Sequence, residues 1–334
     1  ALLLPAVQAA REAARKMQCG TQLRELGQAA LAFEAAKKHF PGWQEIVARN
    51  SGAPIGGSGP NKVAGWPVLL LPYLDQNALF DVWDDQNQPA TGNPTLDPFL
   101  PIYSCPSRGT EFRTAAYTSY VANAGFSNAP GTNDSKAATG PYWDLQHDKN
   151  TGVFLDRVPF NTGANVGTLQ PANLNKVTTT DINDGLSNTL LFTENLLGGK
   201  WNHANAGGYG TMEQCEITFH WMAASDKNPT ICNPVPGAGI PNPIAEMKIN
   251  GHAAGVTRPA ADPTLLATVD AWKIAAHPSS WHSGGVNVVF ADKHTLYLSQ
   301  QIDYDVYQQL MTTYGKKSQM PCKAYVLRAQ DFDQ

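Results

Sequence analysis

ALLLPAVQAAREAARKMQCGTQLRELGQAALAFEAAKK, residues 1–38, decides the fold. Leu3, Val7, Ala10, Ala14 and Met17 recur at steps of four and three, which puts them on one stripe of an α-helix. Cys19, Leu23, Leu26, Ala30 and Phe33 repeat those steps on a second stripe, offset by two positions, so the apolar seam rotates near Gly20. Arg11, Glu12, Arg15 and Lys16 take the other faces, and alanine, the best helix former, fills much of the rest. The pattern predicts one helix over 2–38, bent at Pro5 or Gly20. At ~1.5 Å per residue it is roughly 55 Å long, more than a compact domain of this size needs from one element. The C-terminal stripe is expected to pack on a globular body and the N-terminal stripe to project from it. ALLL is far too short to span a bilayer, which takes ~20 apolar residues. Followed by a basic amphipathic helix, it reads as the trailing end of such a segment.

The remaining residues, 39–334, read as that body. Its many Gly, Pro, Asn and Thr indicate a loop-rich domain built largely of strands. Charged residues make up 16% of the chain and the net charge is −4, with no run of Lys or Arg, which argues against a nucleic-acid partner. The five cysteines include no C-x-x-C pair, which argues against a zinc ribbon. Cys215 and Cys232 bracket a Pro- and Asn-rich excursion that a disulfide would close. Cys19 is expected to pair with Cys105 or Cys322, and the odd count leaves one thiol free or intermolecular.

Within the body, 66–73 and 75–84 read as two short helices split at Pro72. PIYSCPS (101–107), TSYVANAG (118–125), GVFLD (152–156), NTLLFTEN (188–195) and EITFHWMAA (216–224) read as strands, the fourth of them central. In EITFHWMAA, Ile217 and Phe219 are expected to share a face. VNVVFA and HTLYLS, joined at Asp292-Lys293, read as a β-hairpin with Val286, Val288 and Phe290 on one face. A two-residue turn there prefers Asp-Gly, so the lysine implies mild strain or a longer loop. A last helix follows, capped by Asp303, with Val306, Tyr307, Leu310, Met311 and Tyr314 on its stripe and Gly315 at its end.

Several segments together resemble a bacterial pilin-like family. They are LLLPAVQAAREAAR with MQC and Leu23 (2–23), LLLPYLDQ (69–76), CPS (105–107), TDINDGLSNTLLFTEN (180–195) and WHSGGVNVVFADK (281–293). Members carry a prepilin-type cleavage and methylation segment and a domain of unknown function ending in an H-x9-D-G box. His282 and Asp292 have the box spacing, and Lys293 stands where the box has glycine. The resemblance implies an α+β, pilin-like fold, with the long helix against an antiparallel sheet bearing large loops. ALLLP then looks like the end of the apolar half that lies in the membrane before assembly. It also implies export by a prepilin-type route to the envelope or cell surface. The motif residues are His282, Gly284, Gly285, Asp292, Asp184, Gly185, Ser187 and Asn188.

Read as chemistry, these residues point to no enzyme. His282 and Asp292 lie close enough in sequence to meet across a hairpin, but no nucleophile or oxyanion site accompanies them. The simpler reading has His282 tie down the strand entrance and Asp292 shape the turn. DINDG (181–185) resembles a calcium loop but lacks the late glutamate of an EF-hand, and Asx turns explain it more simply. Calcium stays open as the one cofactor, and the dispersed histidines suggest no zinc motif. The expected role is a structural subunit assembling through the first helical stripe with copies of itself or other pilin-like subunits. Ala6, Ala10, Ala13 and Ala14 there permit close helix approach. The alternative is an anchored glycan- or solute-binding module whose face is built by the loops at 125–150 and 225–263.

Overall fold

The computed structural model describes residues 3–48, 62–85, 87, 93–109, 113, 116–127, 149–155, 157, 176–196, 198–202, 204–205, 217–222, 249–250, 277–318 and 327. The fold is α+β. Helix α1 (Leu3–Lys37) runs unbroken for 35 residues, ~52 Å. Neither Pro5 nor Gly20 interrupts it: Pro5 sits in the first turn, where its missing N–H leaves no bond unmade.

Five strands form the main sheet: β3 (Tyr120–Ser127), β4 (Leu190–Glu194), β6 (Thr218–Met222), β7 (Gly285–Phe290) and β8 (Thr295–Ser299). Their order is β6-β3-β4-β7-β8. The pairs β3–β4, β4–β7 and β7–β8 are antiparallel, whereas β3–β6 is parallel, so the sheet is mixed at one edge. Strand β4 is central and buried along its whole length, which its run of β-branched and apolar residues demands. A small antiparallel sheet of β1 (Glu45–Ala48), β2 (Lys62–Ala64) and β5 (Ala204–Asn205) lies beside helix α3 (Asn77–Asp84).

Alternation along the strands separates two cores. Tyr120, Ala122, Phe192 and Val289 point to one face, where Leu23, Leu26, Ala30 and Phe33 of α1 meet them together with Trp66, Leu70 and Trp83. Val121, Leu190, Val286, Val288 and Phe290 point to the other, covered by Tyr307, Leu310 and Met311 of helix α4 (Tyr304–Met311). Each fully buried Leu or Phe of the α1 stripe contributes about 1.5–3 kcal/mol. Gly27 lets the helix approach closely, since a Cβ there would meet Val289 Cγ2 at 3.0 Å.

Five local expectations are corrected. Residues Pro101–Tyr103 form a 3-10 turn rather than a strand; Pro101 opens it, and Tyr103 donates its hydroxyl to Pro67 O at 2.6 Å. Residues 152–155 are bends whose Val153 and Phe154 N–H groups both donate to Asn123 O. Ile217 and Phe219 belong to different cores, because β6 starts at Thr218 and Ile217 precedes the alternation. Helix α4 ends at Met311, so Tyr314 and Gly315 lie beyond it. The segment around Pro72 is α2 (Trp66–Leu69) followed by a 3-10 turn at Leu71–Leu74.

The β7–β8 connection shows both features its lysine implies, a three-residue loop and a left-handed lysine. Lys293 N donates to Phe290 O at 2.9 Å and Phe290 N to His294 O at 3.0 Å, enclosing residues 291–293. Lys293 closes that loop at φ +75°, in the left-handed region. This is a type I turn followed by a bulge residue, a place where glycine is easiest.

Candidate functional site

His282 does not face the turn of its own hairpin. It faces α1. Ser280 donates Oγ to Gly285 O at 2.7 Å and accepts His282 N at 3.1 Å, which folds 280–285 into a tight loop at the head of β7. Gly284 takes φ +88°, and a Cβ on Gly285 would stand 2.1 Å from Leu298 O, so both glycines are required for this entry. The loop drives the His282 side chain, 1% exposed, into the seam between α1 and the sheet.

Three elements meet it there. Glu12 of α1 holds Nδ1 at 2.6 Å. Glu194, the last residue of β4, has Oε1 3.2 Å from Nε2. The Cys19–Cys105 disulfide joins α1 to the turn after Tyr103, and Cys105 Sγ lies 3.7 Å from Nε2 and 3.8 Å from Glu194 Oε1. Glu194 also accepts Asn287 N at 2.8 Å and Asn287 Nδ2 at 3.0 Å, so its buried carboxylate is well supplied with donors. Glu12 accepts from Arg15 at 2.6 Å and from Ser107 Oγ at 3.1 Å.

The charges follow from this packing. Burial alone would lower the His282 pKa, but the hydrogen bond and charge of Glu194, then those of Glu12, outweigh it and raise it. Burial works to raise the Glu12 pKa, and the bonds from Arg15, His282 and Ser107 overcome it and lower it. The Lys16 ammonium sits over the Tyr297 ring, 2.9 Å from its centroid. Burial, then the Glu194 charge, pushes the Tyr297 hydroxyl up to about 12. The arrangement is an ionic clasp of α1 on β4 and β7, with a covalent link beside it. Among the described residues, Cys19, Cys105, Glu194 and His282 place possible metal-ligand atoms within 4.8 Å of one another.

Asp292 lies at the other end of β7, ~20 Å from His282 by strand rise, so the two do not meet. Asp292 Oδ1 instead accepts His294 N at 3.0 Å and contacts His294 Nδ1 at 2.5 Å, which shapes the turn. The DINDG acids are likewise occupied. Asp181 completes a capping box with Thr178 and pairs with Lys149 at 2.7 Å. Asp184 Oδ2 accepts Thr312 Oγ1 and Gly315 N, both at 2.6 Å, which fixes the end of α4 to the β4 entrance. Gly185 turns the chain at φ +101°, Asn188 Nδ2 donates to Asp184 O at 3.0 Å, and Ser187 is exposed. The carboxylates of this loop do not converge, and the calcium reading gains nothing from it. Cys215, Cys232 and Cys322 lie outside the described residues, as do most of the loops at 125–150 and 225–263.

Along α1 the two stripes part company. Cys19, Leu23, Leu26, Ala30 and Phe33 are buried. Leu4, Val7 and Met17 are 70%, 45% and 68% exposed, and Ala10 and Ala14 are exposed too. Leu3 opens the helix. Among the described residues no helix is long and apolar enough to cross a membrane. Sequence reasoning passed over Glu12 and Glu194. Only Glu194 leaves a trace in the sequence, as an acid closing an apolar central strand.

A family model described as "Protein of unknown function (DUF1559)" matches residues 8–305. No curated protein and no solved structure matches the chain. The chain belongs to the DUF1559 family.

Proposed function

We propose that this protein is a structural subunit of the bacterial envelope or cell surface, pilin- or pseudopilin-like, exported by a prepilin-type route and without enzymatic activity. It assembles through the N-terminal half of α1, with copies of itself or with other pilin-like subunits. One observation supports this most: a single 35-residue helix is buried along its C-terminal stripe and carries an uncovered apolar stripe at its other end. A helix that served only its own domain would not extend so many apolar residues into water. Alanines along that half allow close packing against a second helix. The disulfide and the Glu12–His282–Glu194 clasp suit a subunit that must transmit load between helix and body.

A second reading, an anchored glycan- or solute-binding module, draws support from Trp281. Its indole is 51% exposed at the surface. An exposed indole offers a ligand an apolar face and one N–H donor. Electron microscopy of the full-length protein from its source cells separates the two. Filaments or ordered arrays that disappear in Leu4→Asp and Val7→Asp variants support assembly. Arrays that persist in both variants refute it.

A further inference from the structure

Three of the four atoms around His282 already stand as the corners of a tetrahedral metal site. With Zn–S ~2.3 Å and Zn–N or Zn–O ~2.0–2.1 Å, tetrahedral edges come to roughly 3.3 Å between N and O and roughly 3.6 Å between S and either. Nε2 and Glu194 Oε1 are 3.2 Å apart, and Cys105 Sγ is 3.7 and 3.8 Å from them. Cys19 Sγ, the fourth candidate, lies within 4.8 Å of all three. The surrounding shell also has the form that metal-ligating histidine takes, since the remote nitrogen, Nδ1, bonds a carboxylate, Glu12, at 2.6 Å. Asn287 N orients Glu194 through Oε2, and Asn287 Nδ2 donates to Oε1 at 3.0 Å, so Oε1 is held on the side that faces Nε2 and Cys105 Sγ.

We propose that this seam has two covalent states: the Cys19–Cys105 disulfide when oxidised, and, when reduced, a zinc site held by both cysteines, His282 and Glu194. A dithiol supplies the two electrons; its own thiols close to a disulfide, the Cys19–Cys105 bond breaks, and each sulfur takes a proton. Zn2+ then replaces both thiol protons and the Nε2 proton, while the Nδ1 proton keeps its bond to Glu12. The sulfurs part from the ~2 Å of a disulfide bond to a tetrahedral edge of ~3.7 Å. Soft thiolates with imidazole and carboxylate favour zinc over calcium or magnesium. Either state ties α1 to the sheet, so the clasp survives reduction. This inference is independent of the proposed assembly role.

The test uses the full chain with Cys215, Cys232 and Cys322 changed to Ser, so that the two seam cysteines are the only thiols. It is reduced with a phosphine, freed of reductant without air, and titrated with Co2+, with circular dichroism on the same samples. The expected result is one equivalent of cobalt with tetrahedral thiolate bands, displaced by zinc and absent from the oxidised chain. Cys19→Ser abolishes the bands, and Glu12→Gln weakens binding roughly tenfold. A reduced chain that loses helix signal and recovers it with zinc also supports the site. A reduced chain that gives no thiolate bands, folded or not, overturns it. Bands unchanged in His282→Gln and Glu194→Gln overturn it as well.

Discussion

Opening the Cys19–Cys105 bond without replacing it with metal isolates what the cross-link contributes. The two residues are 86 positions apart in sequence, and the loop between them holds the C-terminal half of α1, the first two strands of the small sheet and helices α2 and α3. In the chain-entropy treatment, closing a loop of that length removes about 4.5 kcal/mol of freedom from the unfolded chain at 25 °C. Residual structure in the unfolded ensemble reduces this, so the expected loss is about 3–4 kcal/mol. The cleanest comparison keeps every side chain. The chain with Cys215, Cys232 and Cys322 replaced by Ser is unfolded in urea, oxidised and phosphine-reduced, both with chelator present. Reduction should lower the unfolding free energy by that amount and steepen the denaturant dependence, because the freed unfolded chain exposes more surface. Mass measurement confirms that the bond is open. A loss under about 1 kcal/mol with the thiols fully reduced would refute the reasoning: either the bond closes no loop of that length, or the ionic clasp alone fixes α1.

Two further predictions concern the sheet. Lys293→Gly should stabilise the protein by about 0.5–1 kcal/mol, because a left-handed lysine costs about 1–2 kcal/mol and glycine's greater unfolded freedom returns part of the gain; an unchanged or lower urea midpoint argues against the bulged turn. His220 is buried in β6, and burial lowers its pKa to about 4 from the usual 6.5. In that window the unfolded chain binds a proton that the folded chain refuses, so stability is present at pH 7 and falls as pH drops from about 6.5 toward 4, by about 3 kcal/mol in total. Subtracting the pH profile of a His220→Gln variant from that of the parent isolates this contribution, and a flat difference over that window rules it out.

What the sequence discloses is what local physics controls. The second stripe of α1 is legible because helical period and burial on one side are the same fact stated twice. The β7–β8 hairpin and the central β4 are legible for the corresponding reason in strands. Residues 101–103 mislead because Ile102 and Tyr103 are good strand formers, while the conformation is decided by a proline ring and by a hydrogen bond to Pro67, far along the chain. Ile217 misleads by one position: alternation says nothing about where a strand begins, and the core boundary falls at that residue.

The seam is harder to read because its members are separated by most of the chain. His282 and Glu12 stand 270 positions apart, and on the helix Glu12 looks like any solvated charge between apolar stripes. Glu194 is different. An acid that ends a fully buried central strand must find donors, or its burial costs several kcal/mol. That demand is visible in LLFTE before any coordinates, and it limits the partners to a cation or a cluster of N–H groups. The structure meets it with His282 and Asn287, both from residues 281–293. The spacing from His282 to Asp292 therefore measures the length of one strand and its turn, not a pair that works together. Its two ends do separate things: Asp292 closes the hairpin, and His282 binds the hairpin to the helix.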